Sequence, residues 1–442
     1  MDVLTPDFKD TPYWWEAVPR PTLPETPLPK SVDVAIVGSG YTGLSAALTL
    51  ARAGRSVLLF EAEDAGHGAS TRNSGFIGSA LRSTLTSVIE HFGTERASAM
   101  GKEAVAAHRY LVSLIQREQI SCHFVYCGRL MPAHSPAAYE ALARELDLLK
   151  KHAGLDGTMV PRAELHREVG SDIYFGGSLL PLNGSLHPAL YHAGLLDRVR
   201  SSGAAIHART PVTSVTRESD GRFTVATPRG TVSARDVILA TNGYTARSMP
   251  WVRNRMIPVH AGVMVSEPIA PERLRKALPT LRTMIDTKRN PYSSRPSPDG
   301  TRIQFAAARG LLVRDHRAKA REMHAAFSHV FPDLADVRVA YCWTGQMGYT
   351  FDSLPHIGMI DGMHYAMGYC GTGVPMSTWL GHKLALRVMG DPEGATAFDG
   401  REFPSRVYYR GWPWFLPIIV NWYRFQDNRE MASARRRARA SH

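Results

Sequence analysis

One stretch constrains this chain more than any other: VAIVGSGYTGLSAALTLARAGRSVLLFEAE, residues 34–63. Residues 34–37 are a short apolar run of the kind that suits a buried parallel strand. Gly38, Gly40 and Gly43 follow in the order G-x-G-x-x-G. The first permits a tight turn, the second lets the backbone approach a pyrophosphate, and the third lets a helix pack closely on the strand. A helix from residue 40 to about 53 presents its unpaired N–H groups and positive dipole end to phosphates. Gly54 closes it, residues 56–60 form the next strand, and Glu61 ends that strand. An acid roughly 20 residues past the glycines accepts hydrogen bonds from ribose hydroxyls. The stretch therefore reads as a dinucleotide-binding unit. The competing reading is a glycine-rich turn in an ordinary α/β domain.

At 442 residues the chain can build two cores. With 44% hydrophobic and 21% charged residues, it has the composition of a globular protein. No apolar run reaches the ~18 residues of a membrane-spanning helix. The start, MDVLTPDFKDTPYWW, lacks the basic and then apolar character of a signal peptide. A cytoplasmic location is the expectation. Cys122, Cys127, Cys342 and Cys370 form no CxxC pair and no metal spacing, so free thiols and no metal are expected.

The formal charge is +12, part of it in the closing ARRRARASH, where Arg435, Arg436, Arg437 and Arg439 cluster. Such a tail reads as a solvated end. Attraction to nucleic acid or an anionic membrane is the sharper alternative, and nucleic acid is not the expected partner. Before the tail, GWPWFLPIIVNWYRF is aromatic and interrupted by Pro413 and Pro417. It reads as a segment packed on the body or at an interface, with membrane contact the lesser reading.

The pattern along the chain divides it. Residues 1–30 are a Pro-rich lead, with PRPTLPETPLPK extended over the surface. Helical periodicity runs over about 90–118 and 137–151. Residues 213–216 and 222–226 read as a strand pair turned at SDG, and 237–240 as a third strand. Residues 251–330 alternate as in an antiparallel sheet. The fold class expected is α/β, or α+β overall. A Rossmann-like nucleotide domain is assembled from 31–110, 185–250 and 335–400. A sheet-rich second domain comes from 111–184 and 251–334. Residues 401–442 form a C-terminal extension.

Further stretches move the reading from NAD to FAD. EDAGHGASTRNSGFIG places the turn Gly68-Ala69-Ser70 before Arg72, Asn73 and Ser74. RTPVTSV offers strand backbone around Val212 to an adenine, and VILATNGYT carries Thr241. WTGQMGYTFDSLPHIG precedes YAMGYCGTGVPMSTWLGHKLA, whose Gly368, Gly371 and Gly373 sit at a second strand-to-helix junction. A helix N-terminus there stabilises negative charge on a reduced ring. In this combination the chain resembles the D-amino-acid oxidase superfamily of FAD proteins. It is most similar to the sarcosine oxidase and γ-glutamylputrescine oxidase branch, from about residue 12 to about 425. The resemblance implies that Gly38, Gly40, Tyr41, Thr42, Gly43, Glu61 and Ala62 surround FAD. It implies the same of Ser70, Arg72, Asn73, Ser74, Val212 and Thr241, and of Gly345, Gly371, Thr372, Gly373 and Val374. Substrate would meet the ring between the two domains.

Two departures stand out. Where several relatives attach flavin to a cysteine, this chain has Met347 or Gly348, so FAD is expected to be non-covalent. Where sarcosine oxidases place a lysine that promotes reaction with oxygen, alignment gives Gln304. Many relatives also have a Gly-Gly pair where Ala306-Ala307-Ala308 stands. Oxygen or another electron acceptor remains open.

For the chemistry, the candidates are His260, Gln304 and Tyr349, and for substrate binding Arg295, Arg309 and Trp343. His260 lies on an alternating strand and either orients substrate or is an ordinary surface histidine. Arg295 and Arg309 have the geometry to hold a carboxylate bidentately, against a solvated-loop reading for Arg295. Tyr349 and Trp343 flank the flavin stretch as substrate walls or as core. The leading expectation is an FAD-dependent oxidoreductase that takes an amine or amino acid to an imine. The alternatives are oxidation of a 2-hydroxy acid and a flavin-binding subunit of an electron-transfer complex. The oligomeric state is not legible.

Overall fold

The computed structural model describes residues 2–21, 23, 25–310 and 315–440, and the side chains of all these except 308–310, 435 and 437–440. Two large sheets organise the chain.

The first sheet has eight strands around Ser31–Val37. That strand is parallel to Val57–Phe60 on one side and to Gly230–Leu239 on the other. Both of its faces are buried. Val34 and Ile36 pack under the helices Tyr41–Arg52, Thr94–Arg117 and Gly373–Val388. Ala35 and Val37 join a second core with Leu58, Val225, Val237 and Phe403. This two-sided burial explains why the run is continuously apolar. The expected hairpin is present: Ser214–Arg217 pairs antiparallel with Phe223–Thr227. The third strand is longer than expected, Gly230–Leu239.

The second sheet has nine strands, mostly antiparallel. Its centre is the ladder between Ile257–Ser266 and Val339–Tyr349. The helix His316–Val330 covers one face, with Met323 and Phe327 packed on Met264, Phe305 and Cys342. One sequence boundary shifts here. Val339–Tyr349, expected with the nucleotide unit, is ladder-paired in this second sheet. The lead also contributes a strand, Leu4–Lys9, parallel to Val339–Tyr349.

The helical expectation over 90–118 resolves into Leu85–Phe92 and Thr94–Arg117. They break at Gly93, whose φ of 79° suits glycine. Pro136–Leu148 starts at Ser135, whose side chain accepts from the Ala138 N–H. The C-terminal segment is a helix, Leu416–Ala440. Pro417 falls in its first turn, where a missing N–H costs nothing. Leu416 and Val420 on its inner side pack with Ile257 and Val259. Farther along, buried Asp427 accepts from Arg289 at 2.9 Å, and Glu430 meets Arg289 at 2.7 Å and His134 at 2.9 Å.

Candidate active site

The glycine loop is built by steric necessity. Gly38 has φ 105°, and a Cβ there would stand 2.9 Å from the Ala240 carbonyl oxygen. A Cβ on Gly43 would collide with the Gly38 carbonyl. The helix Tyr41–Arg52 can therefore press against the strand end. The Tyr41 N–H donates to Ser70 Oγ at 3.0 Å. The next N–H groups, being first-turn groups, have no partner within the helix. No acid occupies that first turn. Glu61 is fixed at the end of its strand: Oε2 accepts from the Ser39 N–H at 3.1 Å and from the Ser39 hydroxyl at 2.7 Å.

A cavity of about 500 Å³ runs from this loop to the seam between the two sheets. Gly38, Gly40, Tyr41, Thr42, Glu61, Ala62, Ser70, Arg72, Asn73 and Ser74 line it. Val212, Thr241, Gly345, Gly371, Gly373 and Val374 line it as well. Two of the expected cofactor residues do not. Gly43 is consumed by helix packing. The Thr372 hydroxyl turns back to the Tyr369 carbonyl at 2.9 Å. A loop whose glycines have no room for Cβ, a helix N-terminus without an acid and a strand-end carboxylate together fit a dinucleotide.

The loop carrying Arg72 and Asn73 is held from three sides. Trp14 Nε1 donates to the Asn73 carbonyl at 2.9 Å, Trp15 Nε1 to Thr71 Oγ1 at 2.9 Å, and Trp343 Nε1 to the Arg72 carbonyl at 3.0 Å. Arg72 lies 4.7 Å over the Trp15 ring, donates to the His67 carbonyl, and has its pKa lowered by burial. At the seam, Asn242 Oδ1 accepts from the Gly368 N–H at 3.0 Å. Gln346 Nε2 donates to the Gly243 carbonyl. Cys370 lines the cavity, but burial pushes its thiol up to about 11. Its Sγ donates to the Gly368 carbonyl at 3.1 Å, so it is a protonated thiol. Met347 and Gly348, the two positions that the resemblance offers for an attachment cysteine, both line the cavity, and neither is a cysteine.

The substrate-side candidates fall elsewhere. Alternation along Ile257–Ser266 gives the cavity Ala261 and Val263 and turns His260 to the opposite face. Burial lowers the His260 pKa. Gln304 is fully buried and absent from the wall; Ala306 and Ala307 take that place on its strand. Tyr349 lines a second cavity with Ile257 and Val259. Trp343 is core, packed on Trp14. Arg295 is buried and ties the loop, with Nη1 donating to the Leu186 carbonyl at 2.8 Å and to the Ser74 carbonyl at 3.2 Å. Burial lowers its pKa to about 10. The Arg309 side chain lies outside the described residues.

Arg129 was not singled out in the sequence, where nothing local marks it. Its guanidinium sits 6.0 Å from the ring of Phe76, which walls the cavity. Its Nε has no hydrogen-bond partner, and no carboxylate pairs with it among the described residues. Burial lowers its pKa to about 10.

A family model described as DAO, FAD dependent oxidoreductase, matches residues 33–387. The chain is 28% identical over 368 residues to γ-glutamylputrescine oxidoreductase of Escherichia coli (strain K12), covering 83% of this chain and 85% of that protein. It is 27% identical over 423 residues to the probable oxidoreductase OrdL of Rhizobium meliloti (strain 1021), covering 94% and 97%. In fold it matches the crystal structure of glycine oxidase from Geobacillus kaustophilus, with a TM-score of 0.70 at 23% identity, covering 86% of this chain and 100% of that one.

Proposed function

The chain belongs to the DAO family of FAD-dependent oxidoreductases. On that premise we propose that it oxidises the C–N bond of an amine or amino acid, of the γ-glutamylputrescine or sarcosine kind, to an imine that hydrolyses to a carbonyl product. Bound FAD, held non-covalently, supplies the hydride acceptor. The chain's own residues position the amine and exclude water.

The make-up of the seam carries this reading. Ala261, Val263, Ala306, Ala307 and Met347 wall it, while Glu61, Glu63, His67 and Arg72 line the nucleotide-loop part. A neutral amine transfers hydride with its own lone pair stabilising the developing cation, and it needs no base. An alcohol must also lose its O–H proton to a group at hydrogen-bond reach. Asn242, Tyr244 and Gln346 add polar groups to the seam, but no carboxylate or histidine lines it among the described residues, which favours the amine over the 2-hydroxy acid. Arg129 favours a substrate that also bears a carboxylate, because this half-buried guanidinium beside cavity-lining Phe76 has no carboxylate partner among the described residues and can take one bidentately.

The test is product analysis with an artificial electron acceptor. Amines, amino acids and 2-hydroxy acids are supplied in turn. The expected products are an aldehyde or oxo acid together with ammonia or the released amine. Turnover confined to hydroxy acids would overturn the reading, and no turnover at all would favour a flavin-binding subunit.

A further inference from the structure

The C-terminal helix leaves an apolar stripe facing outward. Ile418, Trp422 and Phe425 are 65%, 55% and 55% exposed. Their spacing of four and then three residues places them on one helix face. Trp422 and Phe425 stack at 5.7 Å. Just before the helix, Trp412 and Trp414 are 58% and 53% exposed. The opposite side of the helix is satisfied, with Leu416 and Val420 in a core and Asp427 paired with Arg289. The outward stripe therefore has no structural task within the chain. Exposed apolar groups in such a cluster mark a surface that meets something.

Charge identifies what it meets. Residues 406–442 hold eight arginines against one aspartate and one glutamate, which gives +6, half of the chain's +12. Both acids are engaged by Arg289, which lies outside this segment. Continuing the stripe down the helix leads to exposed Arg429 and Arg436. A second copy of this chain would bring a second arginine cluster against the first. The partner must be apolar at depth and negative at its surface. An anionic lipid bilayer has both properties: tryptophan settles at its interface, and arginine meets its phosphates.

We propose that the 412–440 region docks the protein on anionic membrane surfaces, with Ile418, Trp422 and Phe425 entering the interface and the arginine tail held at the headgroups. The helix lies flat, since no helix among the described residues is long and apolar enough to cross a membrane. Trp414, Ile419 and Tyr423 are exposed and also line the second cavity, of about 900 Å³, which reaches Tyr349. Docking therefore sets that cavity beside the bilayer.

The test uses the full-length, FAD-loaded protein and vesicles of phosphatidylcholine alone or with about 30% phosphatidylglycerol. Cosedimentation should occur with the anionic vesicles, fall away on neutral ones, and weaken in high salt. The variant Ile418→Glu, Trp422→Glu, Phe425→Glu should bind anionic vesicles about tenfold more weakly or worse. Its flavin content and turnover of soluble substrate should be unchanged, which shows that it is folded. A second variant, with Arg435, Arg436, Arg437 and Arg439 changed to Gln, should lose the salt-sensitive part of binding. Failure of the wild type to bind anionic vesicles overturns the proposal. So does equal binding by the triple variant. A dimer in solution that the triple variant converts to monomer, without vesicle binding, would assign the stripe to a second copy instead.

Discussion

Glu61 accepts two hydrogen bonds from Ser39, from its N–H at 3.1 Å and its hydroxyl at 2.7 Å, and so ties the end of one strand to the glycine loop of another. The carboxylate that would meet a ribose is thus already oriented. Glu61→Ala removes that acceptor and frees the Ser39 N–H inside the loop. Charge-assisted hydrogen bonds contribute about 1.5–3 kcal/mol, so FAD affinity should fall by about one to two orders of magnitude. Equilibrium dialysis measures it. The reduction rate of flavin that remains bound should change little.

Gln304 gives a prediction of the opposite sign. Neither its amide oxygen nor its nitrogen has a hydrogen-bond partner, and the residue is fully buried. Replacing an unsatisfied polar group with an apolar one of similar size removes a desolvation cost. Gln304→Leu should therefore hold or raise the thermal midpoint, whereas Gln304→Lys buries an ammonium and should lower it sharply. Ala306→Lys instead puts the cation on the cavity wall. Groups placed where charge develops contribute roughly 2.7–4 kcal/mol in other enzymes. Stopped-flow mixing of the reduced enzyme with oxygen should show faster reoxidation for Ala306→Lys only. A stable Gln304→Lys that reoxidises faster would mean that position 304 reaches the cavity after all.

These positions show what the sequence could and could not reveal. Gly38, Gly40 and Glu61 were legible because a turn with φ 105° and a strand-end acid are local demands on residue type. His260 was misplaced because facing is set by strand register with a period of two, and one residue of error turns a side chain to the other face. Gln304 shares the strand face of cavity-lining Ala306 and was misplaced by its distance along the strand, where it is fully buried. The ladder beside His260 has a bulge between Ala261 and Gly262 that no composition signal announces. Trp343 and Arg295 act on the Arg72 loop across more than 200 residues of chain, a relationship only the folded structure contains. The helix at Leu416–Ala440 was hidden by Pro413 before it, by Pro417 in its first turn and by aromatics on the solvent side, which blur the amphipathic pattern.

Arg129 should report on the substrate's charge. Arg129→Met should raise KM about tenfold or more for amines that carry a carboxylate. It should leave amines without one nearly unaffected and kcat little changed in both cases. Equal losses for both substrate classes would mean a purely structural role.

Stability should fall on the acid side of neutrality. Burial lowers His108, His187 and His382 to about 4 from an ordinary value of 6.5. Between those values the unfolded chain binds protons that the native state refuses, so stability decreases as pH drops from 6.5 to 4. Above 6.5 these groups are neutral in both states and contribute no slope. Urea midpoints of the FAD-loaded protein should be level from about pH 7 to 8.5 and decline below about 6.5. His382→Gln should make that decline shallower.

Anaerobic titration of the flavin spectrum tests the central claim most directly. The purified protein should be yellow and should release free FAD on acid precipitation. In the absence of oxygen its visible absorption should bleach with an amine or amino acid and remain unchanged with 2-hydroxy acids. Bleaching by hydroxy acids alone, or a protein that binds NAD(H) and no flavin, would contradict the account.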